Sequence, residues 1–339
     1  MKPLVIRVDP LKIDVEKIKK AAGVIIKGGL VAFPTETVYG LGAAALDERA
    51  VAGIFSAKKR PLDDPLIVHI AENSGLKELV KVVPDKAKNL MEKFWPGPLT
   101  LVLKKRETVP DIVTTGLDTV AVRMPSGKIA LKLIELSGTP IAAPSANLFG
   151  RPSPTSADHV EEDLGESVDV IIDGGDTDIG IESTVVAFSE DEVFILRPGG
   201  VTLEEIESVI GRVSICPPDN SLSASPGKYP RHYSPEAKVV LVEKGPGQRE
   251  RVIREAQDNI GKGRKTGIMC FAGNVPAYQG FDVKELGPLE DARLSASRLF
   301  RIFREFDREG YGVIVAEGTE EEGLWAAIMN RIRKASAGS

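Results

Sequence analysis

Leu30-Val-Ala-Phe-Pro-Thr-Glu-Thr-Val-Tyr-Gly-Leu-Gly42 is the stretch from which the fold can be read. Its first four residues are a short apolar run broken by Pro34, which cannot donate to a sheet ladder, so Leu30–Phe33 reads as a buried strand. Upstream, Ile13–Lys27 places Ile18, Ala21, Ala22 and Ile25 on one helical face and stops at Gly28-Gly29, as a glycine-capped helix does. Downstream, Asp47 suits an N-cap and Pro61 a stop, predicting a second helix over Ala50–Lys59. Leu66–Ile70, Leu99–Leu103, Val120–Met124, Ile141–Ala143, Val168–Ile172, Ser183–Phe188 and Val193–Leu196 continue as strands. Strands interspersed with helices in this way predict an α/β domain around a large, twisted mixed sheet.

The pattern changes at Cys216–Pro235. This stretch holds Pro217, Pro218, Pro226, Pro230 and Pro235 with several serines and hardly an aliphatic residue, the composition of a linker. Beyond it, strands at Val239–Val242, Gly267–Phe271 and Gly312–Ala316 alternate with helices, and the helix near Arg293–Arg308 buries Leu299, Ile302, Phe303 and Phe306. Such alternation predicts a small doubly wound parallel sheet. The division expected is a catalytic domain over 1–215, a linker over 216–236 and a smaller α/β domain over 237–339. No GxGxxG opens the second domain's first helix, so a dinucleotide site there has little support.

Bulk composition excludes several classes. The chain has 339 residues, 42% hydrophobic and 27% charged, an ordinary globular balance. Its apolar runs are far too short to cross a bilayer, and Met1–Pro10 does not read as a secretory signal. The two cysteines, Cys216 and Cys270, form no CxxC, which excludes a zinc ribbon and fits a reducing cytoplasm. The net charge of −5 argues against a simple nucleic-acid binder. It nevertheless conceals an asymmetry: residues 1–150 hold 22 Lys/Arg against 16 Asp/Glu, whereas residues 151–215 hold 3 against 16. The basic portion would place positive potential in a cleft for a polyanion, or be solvated surface.

Polar residues set beside apolar strands mark the candidate chemistry. Thr35 and Thr37, with glycines behind them, suit a loop that holds a small polar ligand, though a structural turn has the same composition. Lys58-Lys59-Arg60 ends a helix, where cations answer the helix dipole or an anionic ligand. Asp63 and Asp64 follow, and a strand leads to His69, one of three histidines. Arg123 sits in the apolar run Val120-Ala-Val-Arg-Met-Pro125; a buried guanidinium needs an anion, either a protein carboxylate or that of a ligand. In Ala142-Ala-Pro-Ser-Ala-Asn147, extended geometry would point Ser145 and Asn147 the same way. Glu182-Ser-Thr-Val-Val and Leu196-Arg-Pro-Gly-Gly200 repeat the theme.

Taken in order, Pro34–Gly42, Lys58–Arg60, Ser145–Asn147, Ser183-Thr184 and Arg197-Pro-Gly resemble the YrdC-like domain of threonylcarbamoyl-AMP synthases. Lys58-Lys-Arg60 followed by Ser145-Ala-Asn147 is similar to that family's Lys-x-Arg…Ser-x-Asn signature. Ser225-Pro-Gly-Lys-Tyr-Pro-Arg-His-Tyr-Ser-Pro235 looks like the linker of the long, two-domain form, although Gly-Lys-Tyr-Pro departs from its usual Gly-Met-(Arg/Lys)-Tyr run. The resemblance covers nearly the whole chain.

It implies a YrdC-like domain with a concave active-site cleft beside a Rossmann-like second domain. It also implies synthesis of threonylcarbamoyl-AMP and pyrophosphate from L-threonine, bicarbonate and ATP, for modification of tRNA. The carboxylate of N-carboxythreonine would attack the α-phosphate, so no protein nucleophile is needed. By this resemblance Lys58 and Arg60 are catalytic and neutralise the triphosphate with Mg2+. Thr35, Thr37, His69, Arg123, Ala143 and Ser183 face threonine and bicarbonate, Arg123 gripping the threonine carboxylate bidentately. Asp64, Thr119, Ser145, Asn147, Arg197 and Tyr233 complete the ATP side, with Ser183 bordering it. The Mg2+ comes with the ATP phosphates; its protein ligands are not implied. The partners implied are the substrates and the tRNA threonylcarbamoyl-transferase complex, with weak or indirect tRNA contact, no membrane and a cytoplasmic location. The linker, with Lys228, Tyr229, Arg231, His232 and Tyr233, would also serve as a lid.

Three other readings compete. A module for double-stranded RNA explains the basic first stretch but not Arg123 beside hydroxyl-bearing strand ends. A carbamoyltransferase of the hydrogenase-maturation type uses a similar domain but needs a cysteine-rich zinc module. An interaction scaffold leaves the polar strand ends unexplained.

Overall fold

The computed structural model describes residues 2–189, 192–215 and 232–337. They divide into two compact units. The first gathers residues from 2–149, 154–178 and 182–215, and the second takes 150–153, 179–181 and 232–337.

Eleven strands form the sheet of the first unit: β1 (Leu4–Arg7), β2 (Val31–Pro34), β3 (Tyr39–Ala44), β4 (Ile67–His69), β5 (Leu99–Lys104), β6 (Thr119–Arg123), β7 (Ile141–Ala142), β8 (Val170–Asp173), β9 (Thr184–Phe188), β10 (Val193–Arg197) and β11 (Ser214–Ile215). Their order is β1-β8-β2-β3-β7-β4-β6-β5-β9-β10-β11, with parallel and antiparallel pairs mixed. One face carries the larger core, including Leu41, Val68, Leu101, Val122 and Val186. The opposite face is apolar where Val31, Phe33, Ile141 and Ala143 pack with helices Val15–Ile26 and Lys128–Ser137. Asp14 caps the first of these through the Glu16 and Lys17 amides, and the last helical residue is Ile26, just short of the expected glycine stop.

The stretch that the sequence reads as strand plus loop is a β-hairpin. Strand β2 turns at Thr35–Val38 and returns as β3. Gly40 and Gly42 hide β3 from a propensity reading, since glycine is depleted in strands. Here they make room: a Cβ on Gly42 would lie 2.7 Å from Phe33 Cε1 and 2.8 Å from Ile141 Cγ2. The helix after it runs Glu48–Lys58, with Asp47 accepting from Arg49 and Ala50 as the sequence predicts.

The second unit has four parallel strands, β12 (Lys238–Val242), β13 (Thr266–Phe271), β14 (Asp282–Gly287) and β15 (Val313–Glu317), in the order β12-β15-β13-β14. β14 is an edge strand carrying Asp282, Lys284 and Glu285, and this charge hides it in the sequence. The core holds Val242, Val252, Ile268, Cys270, Tyr278, Val313 and Val315. Helix Ala292–Arg308 buries Leu299, Ile302, Phe303 and Phe306, as its periodicity predicts. Within this unit Gly180 is pressed on that helix: a Cβ there would lie 2.4 Å from Ser297 Cα. Arg304 donates to the Pro152 carbonyl at 2.6 Å, and Ser234 N–H to Gly150 at 2.8 Å.

Candidate active site

On the first unit's sheet, five strands bring distant segments into one line. His69 lies opposite Arg123, Arg123 opposite Thr100, Thr100 opposite Val185, and Val185 opposite Arg197. Residues in register across neighbouring strands share a face. The row therefore crosses β4-β6-β5-β9-β10 on one side, beginning where the covered part of that face ends: Ile141 pairs with His69, and the edge of the Phe33 ring meets the imidazole with centroids 6.4 Å apart. Thr119 lies on the same face, four residues before Arg123, and is half-buried.

Arg123 has a protein counter-ion. One terminal nitrogen donates to Glu36 Oε1 at 2.7 Å, the other to Thr37 Oγ1 at 3.0 Å, and Nε to the Gly97 carbonyl at 3.2 Å. Both members of the pair are buried. Burial alone would raise the Glu36 carboxyl, but the charge and hydrogen bond of Arg123 outweigh it and hold Glu36 below its ordinary value. Of the two partners open to a buried guanidinium, the protein carboxylate is present: Glu36 meets one terminal nitrogen of Arg123. Thr37 also meets the Thr35 hydroxyl at 2.7 Å, and Thr35 donates to the Val38 carbonyl at 2.7 Å. The segment is thus a structural turn, held by its own hydrogen bonds and by Arg123.

His69 is neutral at ordinary pH. Burial, and next the Arg123 charge, push its pKa down to about 3. Its Nδ1 is buried without a hydrogen-bond partner, an atom that a ligand can satisfy. Farther along the row, Thr100 Oγ1 meets Ser183 Oγ at 2.8 Å, and Arg197 donates to the Ser183 carbonyl and to its hydroxyl.

Lys58 and Arg60 overturn the solvated helix-end reading, because both are buried while Lys59 between them is exposed. Lys59 takes a left-handed backbone at φ 51°, which turns the chain between the two inward cations. Lys58 Nζ donates to the Ser145 carbonyl at 2.6 Å and to that of Asn147. Burial, then the Arg60 charge, lowers its pKa well below the lysine value. Arg60 pairs with fully buried Asp64 at 2.8 Å and donates to the Asp64 and Pro65 carbonyls. Ser145 Oγ donates to Asn147 Oδ1 at 2.5 Å, so the two side chains do share a direction. Ala143 is buried beside Gly40, where an added Cβ would approach it to 3.3 Å. Tyr233, in contrast, is built into the second unit, fully buried, stacked on Phe300 and with the Arg331 guanidinium 5.2 Å above its ring. The expected lid falls mainly on 216–231, outside the described residues.

Sequence reasoning missed Glu36 and Thr100. Thr100 interrupts Leu99-Thr-Leu-Val-Leu103 as Arg123 interrupts its own strand, so the same rule would have found it. Glu36 stands between the two threonines that were singled out.

Two family models cover this chain. One, described as "Telomere recombination", matches residues 23–199, and the other, "Threonylcarbamoyl-AMP synthase, C-terminal domain", matches 201–337. The chain is 52% identical to the threonylcarbamoyl-AMP synthase of Pyrococcus abyssi, over 96% of this chain and 95% of that one. To the Bacillus subtilis threonylcarbamoyl-AMP synthase it is 44% identical, over 97% and 96%. Its fold is similar to that of P. abyssi Sua5 crystallised with L-threonine, with a TM-score of 0.92 and 51% identity over 98% of this chain and 97% of that one.

Proposed function

The chain belongs to the threonylcarbamoyl-AMP synthase family, and we infer from this that it joins L-threonine, bicarbonate and ATP into threonylcarbamoyl-AMP, releasing pyrophosphate. It is an adenylate-forming enzyme whose product feeds the threonylcarbamoylation of tRNA. The observation that best supports a single site is the row His69–Arg123–Thr100–Val185–Arg197, with the Thr35–Val38 turn at one end. A carboxylate is already a nucleophile, so such a site has to align two anions and stabilise charge at phosphorus.

In this reading the amino acid and bicarbonate lie at the end lined by Thr37, His69, Arg123 and Ala143, with Thr35 supporting Thr37. ATP lies toward Lys58, Arg60, Asp64, Ser145 and Asn147, with Thr119, Ser183 and Arg197 completing its side. Buried Lys58 and Arg60 meet the triphosphate as the catalytic cations. Among the described residues no cluster of three or more His, Cys, Asp or Glu could hold a metal ion. Mg2+ would accordingly arrive on the triphosphate, as is usual for this ion, and the neutral oxygens of Ser145 and Asn147 suit it there. It supplies charge neutralisation.

Residues 1–215 form the catalytic domain, 237–339 the second, and 216–236 a tether and lid that excludes water from a hydrolysable adenylate. The composition of the segment ahead of the packed His232 and Tyr233, with Lys228, Tyr229 and Arg231, supports the lid. No helix among the described residues is long and apolar enough to cross a membrane, and we place the enzyme in the cytoplasm, where a transferase complex takes its product for tRNA. The test is pyrophosphate release, expected only when ATP, L-threonine and bicarbonate are all present. Phosphate in place of pyrophosphate, or turnover without threonine, would overturn the assignment.

A further inference from the structure

Strand β1 ends the large sheet, and its outer edge is open. Leu4 and Val8 donate inward, to the Asp169 and Asp173 carbonyls at 2.9 and 2.8 Å. Backbone groups alternate in direction along a strand, so Val5 and Arg7 turn their amides and carbonyls outward. The Arg7 carbonyl accepts Lys17 Nζ at 3.0 Å, and Pro3 has no amide hydrogen to give. The Val5 amide and carbonyl and the Arg7 amide remain open. The side chains of Leu4 and Val5, 57% and 41% exposed, leave that edge uncovered.

A groove of about 610 Å³ runs along this edge. Its walls are helices on opposite faces of the sheet. Helix Val15–Ile26 packs with Ile6, Val8 and Ile172, and supplies Lys17 and Lys20 to the groove. Helix Ala157–Leu164 packs on the other face with Ile171, and supplies Asp158 and Glu161. Lys20, Asp158 and Glu161 have no ion-pair partner among the described residues. One wall is therefore basic and the other acidic. β1 already follows this division, for its Arg7 lies on the acidic side and meets Asp173 at 3.4 Å.

The division of charge selects the occupant. A second copy of the chain would pair β1 with β1 antiparallel, about a two-fold axis normal to the sheet, which keeps each face on its own side. Lysines would then meet lysines and carboxylates meet carboxylates, and like charges facing each other across strands are destabilising. A foreign strand escapes this conflict when its acidic and basic residues alternate, because successive side chains point to opposite faces.

We propose that the outer edge of β1 is a docking site for an extended segment of a partner protein in which acidic and basic side chains alternate. The acidic ones lie against Lys17 and Lys20, the basic ones against Asp158 and Glu161, and the segment adds a strand to the sheet. Four strands separate β1 from β4, where the polar row begins, so the docked segment does not enter the row.

The probe is the fluorescein-labelled hexapeptide Glu-Arg-Val-Val-Glu-Arg, which as a strand puts each charge on its own face, titrated with the full chain. A control, Glu-Glu-Val-Val-Arg-Arg, has the same composition with both charges on each face. The first peptide should bind about tenfold more tightly than the control. Lys20→Glu, which cancels the basic wall, and Glu161→Lys, which cancels the acidic one, should each weaken its binding about threefold. Val5→Pro removes the outward amide but leaves the inner ladder, and should weaken binding about fivefold. All three variants should keep the circular dichroism of the wild type. Equal affinity for the two peptides, binding of neither, or undiminished binding by folded Val5→Pro would overturn the proposal. Should Val5→Pro not fold, the two charge variants decide, and unchanged affinity in both overturns it. A dimer of the chain that Val5→Pro dissociates would overturn it as well, since a second copy would then hold the edge.

Discussion

A lysine at the end of a helix is ordinarily solvated, yet Lys58 is buried and lies on two backbone carbonyls of the Ser145–Asn147 segment. Its ammonium is thus placed before any phosphate arrives, and Lys58→Ala should lower turnover about a hundredfold to a thousandfold, read as pyrophosphate release. Arg60 calls for a different expectation. Because it pairs with fully buried Asp64, Arg60→Ala should also cost about 3–5 kcal/mol of folding stability, measured by denaturant unfolding. His69 sets a pH dependence. The unfolded chain takes up its proton near pH 6.5, while the folded chain resists until about pH 3, so stability is lost as pH falls through that interval. Between pH 7 and pH 5 the wild type should lose about 2 kcal/mol more than His69→Asn, and equal losses would show that the imidazole is not so buried. Arg123 and His69 were legible in the sequence as polar residues inside apolar strands, and Lys58 as a cation at a helix end. Glu36, the counter-ion of Arg123, was not, because the turn that carries it meets β6 only in the folded sheet.

At the scale of elements, Tyr39–Ala44 shows why sequence patterning fails locally. The segment holds two glycines and two alanines, a poor strand by propensity, and it folds as one because Phe33 needs the space that its glycines leave. Gly42→Ala should therefore destabilise the protein by about 1–3 kcal/mol through crowding of Phe33 and Ile141, seen as a lower denaturant midpoint. Helix Ala292–Arg308 is the opposite case. Its apolar stripe, capped by Asp291, could be read directly because one face is buried along its whole length. Edge strand β1, with one buried residue in four, and edge strand β14, with Asp282, Lys284 and Glu285, gave no such alternation.

For the whole molecule, the two-sheet organisation was readable because strand-helix alternation changes character across a proline-rich stretch. What the sequence concealed is where the stretch gives way to packed structure: Tyr233 sits among its prolines yet is stacked on Phe300 in the second unit. If residues 216–236 act as a lid, protease cleavage of the intact chain within 216–231 should slow when ATP and L-threonine are added together. Cleavage at the same rate would leave a tether alone.

The central claim is that the row from His69 to Arg197, together with Lys58, Arg60, Ser145 and Asn147, assembles threonine, bicarbonate and ATP without a protein nucleophile. Mass spectrometry of the product formed from isotopically labelled bicarbonate tests it most directly. The account predicts one species that contains threonine, the labelled carbon and AMP, appearing in step with pyrophosphate. Label that remains in bicarbonate while ATP is turned over, or a product that lacks threonine or AMP, would contradict it.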